Sequence, residues 1–186
     1  MLSVADTKRI ICERHYTKSW PSGKSFAFHY EDAIVVFSIP ANYNVARWLG
    51  CAKNRVWELT RLWAPDGHRK NLLTEAISYA VREFHKLKLA DALISYADPN
   101  AGHSGGVYKA ASWTALGQSE ETRAYRNGNA QIISRRAFHS GKRHMVKAEI
   151  LALGYTELKL PGKIRFARGL TRAGKRAIVL KLASTK

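Results

Sequence analysis

The stretch from Ile94 to Trp113, ISYADPNAGHSGGVYKAASW, gathers Ser95, Tyr96, Asp98, His103, Ser104 and Tyr108 around Gly102, Gly105 and Gly106. These side chains can donate, accept or orient protons, and loops of this kind carry active sites when a rigid scaffold holds them. The run Ala92 to Ala97 just before Asp98 is short and uncharged, which predicts a strand buried on both faces. Asp98 and His103 then fall beyond the carboxyl end of a strand, where ligands of open α/β sheets lie, and the helix start that follows can accept an anion. Asp98 is the first candidate for an essential residue, since a carboxylate placed there can act as a base or bind a metal. The plainer alternative is a glycine-rich turn capping a helix, with Asp98 accepting backbone hydrogen bonds ahead of Pro99.

Holding that loop requires strands and helices on both sides of it. A short helix is predicted around Val4 to Glu13, and the Trp-, Pro-, Ser- and Gly-rich segment from His15 to Ser25 reads as a loop. Phe26 to Tyr30 and Ala33 to Ile39 are aromatic and β-branched runs about Glu31-Asp32, the pattern of an antiparallel hairpin, and Pro40 ends the second. Val56 to Ala64 is a third strand, in which Glu58 and Arg61, three apart, are expected on opposite faces. Leu73, Ala76, Ile77, Ala80, Val81 and Phe84 form one apolar stripe that predicts a helix from about Asn71 to Leu87, with Asn71 as its cap. Beyond the Asp98 loop the pattern predicts a short helix from Val107 to Ala111 and a strand from Trp113 to Gly117. A helical stretch over 144–153 and a final strand from Arg176 to Leu182 follow. This order implies one α/β (α+β) domain over residues 1–186, a mixed sheet with helices packed on it.

Charge points to the partner. The 186 residues hold 31 Lys and Arg against 14 Asp and Glu, a formal charge of +17 that calls for a polyanion, nucleic acid first. Residues 1–122 carry 15 basic and 12 acidic side chains, whereas residues 123–186 carry 16 and 2, so the last third is the cationic surface. Arg123, Arg126, Arg135, Arg136, Lys142, Arg143 and Lys147 are the expected phosphate contacts, with Tyr125 and Phe138 as surfaces on which a displaced base could stack. Cys12 and Cys51 have no paired spacing, which argues against a disulfide framework or cysteine zinc site and fits a reducing cytoplasm. No apolar run is long enough to cross a bilayer, and residues 1–16 do not resemble a signal peptide.

The Asp98 loop resembles the signature of the Mom proteins of bacteriophages, in which a strand ending in SYAD is followed by GHxG, a tyrosine and an N-W pair. In this chain those are Ser95-Tyr96-Ala97-Asp98, Gly102-His103-Ser104-Gly105, Tyr108 and Ser112-Trp113, with serine in place of the asparagine. Glu58 to Trp63 (ELTRLW) with Asn71 beyond it, and His15-Tyr16 followed by Pro21-Ser22-Gly23-Lys24, are similar to further parts of that pattern in the same order. The resemblance covers about residues 13–120 and implies a GNAT-like fold, a mixed and mostly antiparallel sheet flanked by helices. It also implies an enzyme that adds an acetamido (carbamoylmethyl) type group to the N6 amine of adenine in phage DNA, protecting it from host restriction in the host cytoplasm. Bound iron is associated with the family.

What the resemblance implies for single residues follows from these matches. Asp98, Tyr16, Tyr108 and Ser95 are the catalytic candidates: Tyr108 stands where many GNAT enzymes place a tyrosine that protonates a departing thiolate, and Ser95 would orient Asp98 or the substrate. His15, Tyr16, Asp98 and His103 are the candidate iron ligands, since imidazole, carboxylate and phenolate all bind iron. An acyl donor such as acetyl-CoA would be held by Arg69, Lys70, Asn71, Ser104 and Gly105. The glycine-rich pyrophosphate turn of ordinary GNAT enzymes is replaced by Asp66-Gly67-His68-Arg69-Lys70-Asn71, so coenzyme A is an inference from fold. Expected partners are DNA and a second copy of the chain. The competing readings are an acetyl-CoA-dependent N-acetyltransferase acting on a protein or small amine, and a DNA-binding protein without catalysis, which would not need the Asp98 loop.

Overall fold

In a computed structural model, residues 3–140 and 143–184 are described. The early hairpin forms as its pattern predicts. β1 (Ser25–Tyr30) and β2 (Ala33–Ser38) pair antiparallel from Tyr30↔Ala33 to Ser25↔Ser38, across a turn in which Glu31 takes a φ of 50°. β2 continues antiparallel onto β3 (Val56–Trp63), and β4 (Ala92–Ala97) then lies parallel to β3. Parallel neighbours need a crossover, which α3 (Leu72–Lys86) supplies. The main sheet has the order β1-β2-β3-β4-β11-β5, in which β5 is Thr114–Gln118 and β11 is Ile164–Gly169. It is a mixed, mostly antiparallel sheet with helices on both faces.

The apolar residues of α3 sit as their spacing predicts: Leu72, Ala76, Ile77, Ala80 and Phe84 are buried. Phe84 is the hub, with the rings of Phe26, Phe28, Phe37 and Trp57 at centroid distances of 5.8, 6.2, 4.9 and 5.2 Å. Tilted and edge-on aromatic packing of this kind adds to the burial of apolar area. On the opposite face, α1 (Val4–Arg14) covers Ile34 and Val36 through Ile11. α2 (Val45–Leu49) and α6 (Arg172–Ala183) cover Val56, Ala92, Ile94 and Ala167. Asn71 does not cap α3 through its side chain; it takes a left-handed φ of 67° that turns the chain into the helix.

Arg176 to Leu182 is not a strand. It belongs to α6, where Thr171 accepts the Gly174 N–H at 3.2 Å as an N-cap and Gly174, Ala177 and Ile178 are buried at helical spacing. The apolar run is split, with Ile178 inside and Val179 and Leu180 66% and 60% exposed. Gly174 is required because a Cβ there would stand 1.8 Å from the Asp91 carbonyl oxygen. The last strand in chain order is β11, which enters the sheet between β4 and β5 and whose two arginines obscure its pattern.

Between β5 and β11 the chain forms an inserted lobe. Its three-stranded sheet β10-β6-β7 consists of β6 (Thr122–Arg126), β7 (Ile132–Ser134) and β10 (Thr156–Leu160). The short pair β8 (His139–Ser140) and β9 (Arg143–His144) precedes α5 (Lys147–Ala152), which falls within the predicted 144–153. Ile150 is fully buried, and Phe138 meets Tyr125 and Tyr155 edge-on at 5.3 and 5.1 Å. Among the described residues no helix is long and apolar enough to cross a membrane.

Candidate active site

The parallel pair β3/β4 is hydrogen-bonded only from Val56↔Ala92 to Leu59↔Ser95, although both strands continue. Beyond that point they part, because β3 bulges. Its pairing with β2 steps from Phe37↔Leu59 to Val36↔Arg61, which leaves Thr60 as the extra residue, its hydroxyl donating to the Val36 carbonyl at 3.2 Å. The bulge resets the strand's alternation. Glu58 and Arg61, expected on opposite faces, therefore both line the same cleft.

Ser95 seals the fork. Its Oγ lies 2.9 Å from the Leu59 carbonyl, which can only accept, so the single Ser95 proton is committed there. The Tyr108 hydroxyl, also 2.9 Å away, supplies the proton of the second bond. Tyr108 is held by the rings of Phe166 and Trp113 at 5.2 and 5.7 Å, and burial pushes its hydroxyl up to about 12. Gly105, before α4 (Gly106–Ala110), permits this packing: its φ is 79°, and a Cβ would stand 2.2 Å from the Phe166 ring.

The cleft has a volume of about 1530 Å³ and brings together segments far apart in sequence. His15 and Tyr16 enter from the end of α1, Asp98 and the Gly102–Gly106 loop from the end of β4, and Arg123, Arg135, Lys163 and Arg165 from the lobe and β11. The Asp98 side chain is 16% exposed and ion-paired with Lys163 Nζ at 2.9 Å, and its Oδ1 accepts the Asn100 N–H and side-chain amide at 3.0 Å. Burial alone would raise its pKa, but Lys163 and the Asn100 bonds outweigh that and hold it below the usual range. Asp98 is thus an ionised carboxylate.

Tyr16 is 53% exposed, tilted against His15 at 4.5 Å and edge-on to His103 at 5.1 Å. Its loop is fixed by Arg61, which donates to the Ser19 carbonyl at 2.7 Å and the Ser19 hydroxyl at 3.1 Å. His15 is 5% exposed, and burial, with the charges of Arg61 and His103, lowers its pKa to about 4. Between pH 6.5 and about 4 the unfolded chain takes up a proton that the folded ring refuses, so stability is lost as pH falls through that window, by up to about 3 kcal/mol. Denaturant melts at pH 7 and pH 4 are expected to differ less in His15→Gln than in the unaltered protein.

The expected iron ligands already have partners of their own. An imidazole must offer a lone pair to a metal, yet His15 Nδ1 already accepts the Thr17 N–H at 3.2 Å, which places the proton of the neutral ring on Nε2. Both Asp98 oxygens are engaged as well. Among the described residues no three His, Cys, Asp or Glu side chains stand close enough to hold a metal ion. In this arrangement His15 and Asp98 are held by other partners, while Tyr16 and His103 stand edge-on to one another in the cleft.

Of the residues expected to hold an acyl donor, Ser104 and Gly105 line the cleft. Arg69, Lys70 and Asn71 do not. Arg69 is instead clamped between Glu31 and Glu75, each at 2.6 Å, and ties the β1–β2 turn to the start of α3. The two carboxylates occupy the guanidinium that a phosphate would need.

Of the expected phosphate contacts, Arg123 and Arg135 line the cleft, and Arg126 is exposed on the lobe. Lys147 pairs with Glu157, and Arg123 lies 3.9 Å from the same carboxylate. Lys142 and the side chains of Arg136 and Arg143 lie outside the described residues. Tyr125 is 1% exposed, so its ring is not a stacking surface for a base, while Phe138, packed edge-on against it, is half-buried. Lys163 and Arg165 lacked a sequence signal, since Lys163 reaches Asp98 from a loop 65 residues later and Arg165 sits on β11, whereas Tyr96, which stands out in the Asp98 segment, lines the cleft with its hydroxyl pushed up to about 12 by burial.

A family model of the Mom protein family matches residues 2–184. The chain belongs to the Mom family. That match runs through the inserted lobe and α6, whereas the motif resemblance stops near residue 120, so the cationic wall of the cleft is part of the Mom chain. No curated protein matches it.

Proposed function

We propose that this Mom protein modifies adenine in DNA, transferring an acetamido (carbamoylmethyl) type group to the N6 exocyclic amine and so shielding phage DNA from host restriction. The observation that carries the reading is that one cleft presents an ionised carboxylate, Asp98, and a protonated buried phenol, Tyr108, beneath a wall of arginines and lysines. The first can accept a proton and the second can give one, as a group transfer to an amine requires. Asp98 is a weak base. It suits an amine whose proton becomes acidic only as nitrogen bonds to the incoming carbon.

Tyr108 supplies the proton to the departing group as its hydroxyl turns from Ser95 Oγ, the acceptor that otherwise holds it. Ser104 and Gly105 line the part of the cleft where a donor would lie, and since the acetyl group of acetyl-CoA lacks the amide nitrogen, the donor would have to carry the whole carbamoylmethyl group on its leaving atom. The GNAT-like reading of the fold rests on the mixed sheet whose one parallel pair opens at Leu59 and Ser95 beside a crossover helix. An amine within a base pair is out of reach, so the target base must leave the stack. The half-exposed Tyr16 ring, rather than Tyr125, is the aromatic wall that would receive it.

Arg123, Arg135 and Arg165 would hold the flanking phosphates. Plasmid DNA from bacteria making this protein is expected to resist restriction enzymes whose sites contain adenine. Digestion as complete as that of control plasmid, with the protein present and folded, would contradict the reading.

A further inference from the structure

Against the Asp98 loop lie Pro161, Gly162 and Lys163, the three residues that return the lobe to the main sheet, and each is bonded. The Pro161 carbonyl accepts the Asn100 side-chain amide at 3.3 Å. Gly162 lies so close to Ser119 that a Cβ would stand 1.8 Å from the Ser119 carbonyl oxygen, and its own carbonyl accepts the Gln118 amide at 2.9 Å. The Lys163 N–H donates to Ser119 Oγ at 2.8 Å, and its carbonyl accepts the Ser119 N–H at 2.8 Å. The Lys163 backbone is therefore fixed independently of its side chain.

From that base Lys163 Nζ reaches Asp98 Oδ2 at 2.9 Å, while Asn100 engages only Oδ1. A carboxylate held by one oxygen can still turn about its Cβ–Cγ bond. Holding the second oxygen sets its plane. The Lys163 side chain is 43% exposed, and ion pairs that open to water contribute little to stability, so a gain in folding does not account for this arrangement.

We propose that Lys163 is a positioning residue of the transfer reaction, which sets the Asp98 carboxylate in the cleft and ties its orientation to the inserted lobe. The proposal rests on the role given to Asp98 above. A different role is open to a lysine in a cleft, contact with a DNA phosphate, and the two separate by measurement. Lost orientation lowers turnover at saturating DNA, whereas a lost phosphate contact weakens binding and makes it less salt-dependent.

The test compares the full-length protein with Lys163→Met and Lys163→Arg. Initial rates over a range of DNA concentrations would use the small-molecule fraction of a bacterial extract as donor, and DNA affinity would be measured at several salt concentrations. Lys163→Met is expected to lower kcat about tenfold to hundredfold, the worth of one hydrogen bond to a charged group, with Kd and its salt slope unchanged. Lys163→Arg, which keeps the charge, is expected to recover part of that loss. Unchanged kcat in Lys163→Met, a loss confined to Kd and salt slope, or an arginine no better than methionine would each overturn the proposal. Lys163→Gln gives the same comparison should the methionine variant not fold. Absence of modification by the unaltered protein would count against the proposed function itself.

Discussion

Asp98→Asn is expected to abolish adenine modification, with a loss of about a thousandfold or more, while DNA affinity stays within about twofold. The substitution preserves shape but removes the negative charge. Lys163 loses its ionic partner, Oδ1 keeps its bond from the Asn100 backbone, and nothing remains to take a proton from the amine. Because the ion pair opens to solvent, the fold is expected to survive, with a change in stability of about 1 kcal/mol or less. DNA affinity depends on the arginines of the lobe rather than on this anion. Rates with a saturating oligonucleotide and a direct binding titration check the two halves separately. A variant that binds poorly and modifies normally when DNA is in excess would reduce Asp98 to part of the binding surface.

Tyr108→Phe is expected to lower modification about a hundredfold, with the fold and DNA binding retained. The ring makes the packing contacts, with Phe166 and Trp113, and phenylalanine keeps them. Ser95 retains its bond to the Leu59 carbonyl, so the fork stays sealed. What disappears is one hydroxyl, held protonated by burial and pointed by Ser95. Thermal melting alongside single-turnover rates distinguishes this from a packing defect. An active Tyr108→Phe enzyme would mean that the departing group leaves without help from the phenol.

The local parts of the fold were legible because they follow from short-range pattern. The β1–β2 hairpin, β3, the α3 stripe and the buried strand β4 each form within one or two residues of the predicted limits. The inserted lobe was not legible. Its short strands, rich in arginine and lysine, carry weak alternation, and their pairing depends on contacts such as Glu157 with Lys147 and Arg123 that no window of sequence contains.

At the site, Asp98, Tyr108, His15, Tyr16 and His103 do come to one cleft, because strand ends and the turn after α1 converge there, and Ser95 lies buried against the Tyr108 hydroxyl. Arg69 was misplaced for a physical reason: a guanidinium before a helix start invites a phosphate on sequence grounds, but Glu31 arrives from a hairpin turn and occupies it. The bulge at Thr60 was invisible for a related reason, since strict alternation is the only rule a strand sequence displays, and the bulge is what puts Glu58 beside Arg61 in the cleft.

The most direct test of the central claim is mass spectrometry of nucleosides from plasmid DNA recovered from bacteria that express this protein, beside an Asp98→Ala control. A deoxyadenosine carrying an added acetamido-type mass is expected with the intact protein and absent from the control. Unmodified deoxyadenosine in both samples, with both proteins folded, would contradict the assignment of this cleft to adenine modification.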